Sequence, residues 1–194
     1  MPRVLIVEDE LVLSFALGRQ LEVRGFEVLK SAANGKVGLE RCCADRPDLV
    51  LMDVRMPVMD GLEATREIME QCPTCVLVMT AYGDAETASR AEAAGAMAYL
   101  TKPVTADQIA SAVAIAQARF AEFESVRAES VDAEEALSTR RLVVAAKAQL
   151  VSAGLAEADA AFGVLKGEAQ RLGLPLRAMA ERVVEGGDTP WGSA

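Results

Sequence analysis

The chain contains no histidine, and its four cysteines offer a single CxxC pair, Cys72-Pro73-Thr74-Cys75. A zinc site normally needs a second spaced pair or histidine ligands. Cys42, Cys43, Cys72 and Cys75 therefore read as reduced thiols that behave as small hydrophobes, with a redox or metal role as the alternative. No apolar run approaches the roughly 20 residues a membrane helix requires. The amino terminus, Met1 to Val7, runs straight into Glu8-Asp9-Glu10, which is not signal-peptide text, so a cytoplasmic location is the default expectation. Aromatic residues make up only 4% of the chain, yet 52% of it is hydrophobic. That balance describes an Ala/Leu/Val-rich globular protein rather than a disordered one. A length of 194 residues allows one ordinary domain and a small second one.

Basic residues are also in the minority, and unevenly so. Residues 1–120 carry 12 Lys/Arg against 17 Asp/Glu, residues 121–135 carry 1 against 6, and residues 136–194 carry 7 against 6. The overall net charge of −9 argues against nucleic-acid binding by the whole chain. It leaves that activity open to the last third.

What the chain does have is a set of short apolar runs, each ending in a chemically useful residue. Val4-Leu5-Ile6-Val7 meets Glu8-Asp9, and Leu49-Val50-Leu51-Met52 meets Asp53. Val76-Leu77-Val78-Met79 meets Thr80, and Met97 to Thr101 meets Lys102-Pro103. Such runs alternating with helical text read as buried parallel strands of an α/β sheet. Strands are expected at 3–7, 26–30, 48–53, 75–80 and 96–100. Helices are expected near 9–24, 35–43, 62–71 and 84–94, with a fifth from about 105. In open α/β sheets ligands bind at the carboxyl ends of the strands. Three carboxylates, a hydroxyl and an ammonium would then share one edge. Carboxylates this close repel one another unless a cation is present, and Mg²⁺ takes oxygen ligands of this kind. Asp9 and Asp60 each also have a plainer reading, as a cap on the following helix.

Residues 1–120 resemble the receiver domain of two-component response regulators. The resemblance rests on Glu8-Asp9, on Asp53, on Met56-Pro57-Val58-Met59-Asp60-Gly61, on Thr80-Ala81, on Tyr99 and on Lys102-Pro103. It implies a doubly wound five-stranded parallel sheet and a phosphoryl group accepted on Asp53. It also implies Mg²⁺ held by Glu8, Asp9, Asp53 and the backbone carbonyl of Arg55. Thr80 and Lys102 would contact the phosphoryl group, and Tyr99 would change its burial as a switch; the plainer reading of Tyr99 is a half-buried strand aromatic. One departure is Glu8, where Asp is common. Arg55 and Tyr82 occupy the positions that tune hydrolysis. With no histidine of its own, the chain would take its phosphoryl group from a sensor histidine kinase or phosphotransfer protein. It would act as a switch with slow autodephosphorylation, not as a turnover enzyme.

Beyond Thr105 no strand signal returns. Ile109, Val113, Ala116, Phe120 and Phe123 step by four and three residues, the seam of an amphipathic helix or short coiled coil. The first turns are expected to pack on the sheet. Phe120 and Phe123 are expected to reach a partner, giving a possible homodimer on phosphorylation. Residues 121–135 read as a helical linker continuing the fifth helix. Residues 136–187 read as three helices, Ala136 to Val151, Glu157 to Leu172 and Pro175 to Val184, and residues 188–194 as a loose tail with Trp191 unassigned.

The three-helix text resembles the ANTAR domain of antitermination regulators. The matched positions are Arg141, Ala146-Lys147 with Leu150, Ala161-Phe162 with Leu165, and Leu176 with Ala180, Val183 and Val184. Ala148 replaces a usual Gly, and Ala156 stands where Ser or Thr often caps the second helix. The resemblance implies binding to RNA hairpins and control of transcription termination. Arg141, Lys147, Lys166, Arg171, Arg177 and Arg182 are the candidate basic contacts. Ala146 and Ala161 are small enough for a loop backbone to approach. A plain helical bundle with solvated basic faces fits the same residues. Two other outputs remain. A DNA-binding helix-turn-helix needs several polar side chains on its recognition helix, and Leu176 to Val184 offers only Arg177, Glu181 and Arg182. A protein-binding adaptor is the third.

Overall fold

The computed structural model describes residues 1–81 and 85–186. Tyr82 and the tail from Gly187, with Trp191, lie outside the described residues. Two compact units follow one another, Met1–Glu124 and Ser125–Ala194.

The first unit is a doubly wound α/β sheet. Its strands are β1 (Arg3–Val7), β2 (Glu27–Val28), β3 (Leu49–Asp53), β4 (Val76–Thr80) and β5 (Ala98–Thr101), in the order β2-β1-β3-β4-β5. All neighbouring pairs are parallel. The helices between them are α1 (Leu11–Val23), α2 (Gly35–Asp45), α3 (Gly61–Gln71) and α4 (Ala85–Ala93). Every residue of β3 and β4 is buried, as expected for strands covered on both faces. Successive side chains point to opposite faces. Val4 and Ile6 enter one core with Leu17 and Leu21 of α1 and Ile109 of α5 (Ala106–Ser152). Leu5 and Val7 enter the other with Cys42 of α2, Ile68 of α3 and Ala91 of α4.

The sequence placed β2 at 26–30, but only Glu27 and Val28 pair with β1. The edge segment then leaves the ladder and rejoins it at a single bridge, Ala32 to Val7. The four cysteines do not all remain thiols. The ends of α2 and α3 pack with the Cα atoms of Cys43 and Cys72 5.3 Å apart, and the two are joined by a disulfide. Cys42 and Cys75 stay free and buried. Burial raises both thiols above their usual range, Cys75 to about 12.

The second unit holds the end of α5, together with α6 (Ala161–Leu172) and α7 (Leu176–Val184). Ala146 and Leu150 of α5 pack with Leu165 and Ala169 of α6 and with Met179, Ala180 and Val183 of α7. The linker and the first output helix expected from the sequence are one uninterrupted helix. It ends with Gly154 in the left-handed region, at φ 71°. The second helix begins at Ala161 rather than Glu157. No capping side chain is present, and residues 157–160 form a turn closed by the Ala160 and Ala161 amides donating to the Glu157 carbonyl. Among the described residues no helix is long and apolar enough to cross a membrane.

Candidate functional site

The strand order reverses between β1 and β3, so their carboxyl ends open a crevice. Glu8 follows β1 and Asp53 closes β3. Both are nearly inaccessible, at 3% and 6% exposure, whereas Asp9 is exposed. One carboxylate oxygen from each of Glu8, Asp9 and Asp53 lies within 4.8 Å of the others. Asp9 caps no helix: α1 begins after Glu10 without a side-chain cap. Asp60 does cap α3, accepting from the Leu62 and Glu63 amides at 2.8 Å each.

Lys102 arrives from the end of β5, where its amide donates to the Thr80 carbonyl at 2.7 Å. Its Nζ lies 2.7 Å from Glu8 Oε2 and 2.7 Å from Asp53 Oδ1. Burial alone would depress the ammonium, but the Asp53 and Glu8 carboxylates outweigh burial and raise its pKa. Burial likewise pushes the Glu8 carboxyl up, helped by the negative charge of Asp53 and opposed by Lys102. Glu8 Oε1 is buried and has no hydrogen-bond partner. A carboxylate oxygen held dry and unpaired is costly, and a hard divalent cation would satisfy it. The three-carboxylate donor set therefore fits Mg²⁺.

Thr80 closes β4 and is 3% exposed, beside the same crevice. Arg55 is exposed two residues beyond Asp53. With Asp9, Asp60 and Thr80 it lines a cavity of about 480 Å³, shared with Thr87 and Arg90 of α4. Nothing in the spacing of α4 marked Thr87 or Arg90 in advance. Tyr99 is 47% exposed on β5.

The first turns of the expected seam pack on the sheet. Ile109 and Val113 are buried in the sheet core, and Phe120 and Phe123 pack against its margin, their rings stacked at 6.2 Å. Phe120 and Phe123 remain partly buried. In the second unit Ala146 and Ala161 are fully buried, so their small size serves helix packing rather than the approach of a loop. Arg171 pairs with Glu168 at 2.7 Å and Arg177 with Glu181 at 2.9 Å. Arg141 and Lys166 are exposed and Lys147 is half-buried.

Comparison with known proteins agrees with this geometry. The response regulator receiver domain family matches residues 4–114, and the ANTAR domain family matches residues 131–184. The chain is an ANTAR-type response regulator. It is 36% identical over 189 residues to the transcriptional regulatory protein PdtaR of Mycobacterium tuberculosis, covering 97% of this chain and 92% of PdtaR. It is 46% identical over 103 residues to protein-glutamate methylesterase/protein-glutamine glutaminase 3 of Hahella chejuensis, covering 52% of this chain and 30% of that protein. Among solved structures, the signal receiver domain of a modulated diguanylate cyclase from Desulfovibrio desulfuricans G20 superposes with a TM-score of 0.57 at 32% identity, covering 62% of this chain and 96% of that one. Receivers are thus joined to enzymes in some relatives. In this response regulator the receiver is followed by an ANTAR domain, the arrangement of a signalling switch.

Proposed function

We propose that this response regulator accepts a phosphoryl group on Asp53 from a histidine kinase or phosphotransfer protein and, once phosphorylated, controls transcription termination by binding RNA hairpins. The observation that carries the first half is Lys102 held 2.7 Å from both Asp53 and Glu8, with Asp9 completing the acidic group. Asp53 Oδ attacks phosphorus as the P–N bond to the donor imidazole breaks; the electron pair returns to the imidazole nitrogen, which takes up a proton. Lys102 turns toward the new phosphoryl oxygens, which add about −1.5 to −2 charges. The Thr80 hydroxyl donates to them, and Tyr99 repacks as Thr80 moves. Glu8, Asp9, Asp53 and the Arg55 carbonyl would hold Mg²⁺, which neutralises charge on the transferring group. The chain is a phospho-accepting switch with at most slow autodephosphorylation.

A protein donor suits the surroundings. Leu11, Val12 and Phe15 of α1 are 72%, 80% and 73% exposed, directly after the acidic pair. This is an apolar surface beside the acceptor.

The second half rests on the ANTAR match over 131–184. We assign residues 1–120 to the receiver, 121–135 to the linker and 136–187 to the RNA-binding domain, with Arg141, Lys147 and Lys166 as its phosphate contacts and Arg171 and Arg177 exchanging their acidic partners for RNA. Phosphorylation would favour a homodimer, so that two domains grip two hairpins and gain by avidity. The test is a titration of the full chain against a tandem-hairpin RNA pool and its duplex DNA counterpart, with and without Mg²⁺ and beryllofluoride. RNA-selective binding that tightens on activation, and does not tighten in Asp53→Asn, is the expected result. Binding to DNA alone, or to neither, refutes the output half and leaves the acceptor half standing.

A further inference from the structure

Among the described residues of the second unit Phe162 is the single aromatic, and it is 43% exposed. Core packing does not account for it. Its neighbours Ala161 and Leu165, four residues apart, are fully buried and supply the contacts of α6 to the bundle core. Phe162 is neither in that core nor among the partly buried side chains packed against it. The face it opens is uncrowded and carries Lys166 one turn after the ring, with the exposed Asp159 one turn before it. Gly163 and Gly167 have nothing within 4 Å of where a Cβ would stand, and Lys166, one turn on, is exposed. Glu168 is the one acid of α6. It stands two residues from Lys166, hence across the helix, and is paired to Arg171.

An exposed ring beside an uncovered cation is the combination that holds an unpaired nucleotide, the ring stacking on the base and the cation meeting a phosphate. We propose that Phe162 is a stacking platform for a loop base of the bound RNA and that Lys166 contacts an adjacent phosphate. This rests on the RNA reading above and adds to it the residue that engages a base.

The experiment uses the full chain activated with Mg²⁺ and beryllofluoride, and tandem-hairpin RNAs chosen on it from a pool with randomised loops and remade with 2-aminopurine in each loop position. Phe162→Ala and Phe162→Leu are expected to weaken binding roughly 5- to 150-fold, with the salt slope unchanged because no charge is removed. Phe162→Tyr should retain affinity. The 2-aminopurine quenching seen at one loop position with wild type and Phe162→Tyr should vanish in Phe162→Leu. Lys166→Gln, by contrast, should flatten the salt slope. If wild type selects no RNA, the RNA reading falls and this inference with it. If wild type binds and Phe162→Leu binds equally, with the same quenching, the inference alone is overturned. A loss in Phe162→Ala matched by Phe162→Tyr also overturns it, since a ring would then make no difference.

Discussion

One added methyl group separates the two kinds of glycine in this chain. A Cβ built on Gly61, the first residue of α3, falls 1.9 Å from the carbonyl oxygen of Asp53, 2.8 Å from its carbonyl carbon and 2.9 Å from Met52 Cγ. Two of those atoms are backbone, so no side-chain rotation relieves the clash. Either the end of β3 or the start of α3 must shift by roughly 1 Å, given ordinary carbon packing distances. Moving β3 disturbs Asp53, whose following residue donates its amide to the Met79 carbonyl at 3.0 Å. Moving α3 breaks the Gly61 amide bond to Val54, 2.9 Å long, and loosens the Asp60 cap. The bond and the cap are each worth about 1 kcal/mol, and overpacking adds about 1–3 kcal/mol. Gly61→Ala should therefore cost about 3–5 kcal/mol and slow phosphoryl acceptance by displacing Asp53. The same change at Gly167 meets nothing within 4 Å in the middle of α6. There it should stabilise the chain by about 0.5–1 kcal/mol, the ordinary advantage of Ala in a helix. Urea unfolding followed by circular dichroism gives both values, and labelling with radioactive acetyl phosphate gives the acceptance rate. Equal midpoints for Gly61→Ala and wild type would refute the close approach of α3 to Asp53. So would a stable variant that labels at the normal rate.

Three further outcomes are expected. Lys102→Met leaves the buried Glu8 and Asp53 carboxylates facing one another, and Glu8 is already shifted upward by burial. A carboxyl raised in the folded state contributes stability at low pH that is lost as pH rises through its pKa. The metal-free variant should thus be weaker by about 3 kcal/mol at neutral pH and recover as the pH is lowered, and a pH-independent loss in thermal melts would contradict this. Val58 has φ 73° and is 81% exposed. Val58→Gly should therefore raise the urea midpoint by about 0.5–1 kcal/mol of stability, and a lowered midpoint would count against the strain. Reducing the Cys43–Cys72 disulfide, which spans 29 residues, should cost about 2–4 kcal/mol on the loop-entropy argument. An unchanged midpoint with and without reductant would show that the link does not form.

The receiver site was legible because its residues sit at the ends of apolar runs, and a parallel sheet brings such ends together whatever the intervening helices do. Glu8, Asp53, Thr80 and Lys102 needed only the strand assignments and the strand order to meet. The strand limits themselves were readable where both neighbours constrain a strand, as at β3 and β4, and less so at β2, an edge that keeps two residues in the ladder. Pairings between helices were not readable at all. Cys43 and Cys72 meet because α2 lies against α3, and no periodicity in either helix announces that contact. The seam of α5 was readable only in part for a related reason: its first turns pack on the sheet as expected, and Phe120 and Phe123 lie at the margin of the same core. A 3.5-residue spacing states that one face is apolar, not whether its own sheet or a second chain will cover it.

The output domain shows the same limit in a sharper form. Ala146, Ala161 and Phe162 were all apolar residues within one family pattern, and spacing gave no means to separate them. Burial separates them fully: the two alanines close the bundle, while the phenylalanine stands outside it. Arg171 and Arg177 are each within reach of a glutamate three or four residues away, so their charge is partly answered within the helix. Lys166 stands one turn from the exposed ring. In the RNA-binding reading proposed above, Lys166 would then meet a phosphate without first giving up an acidic partner, as Arg171 and Arg177 must. Neutralising Lys166 should therefore cost more affinity than neutralising Arg171, although the two carry the same charge.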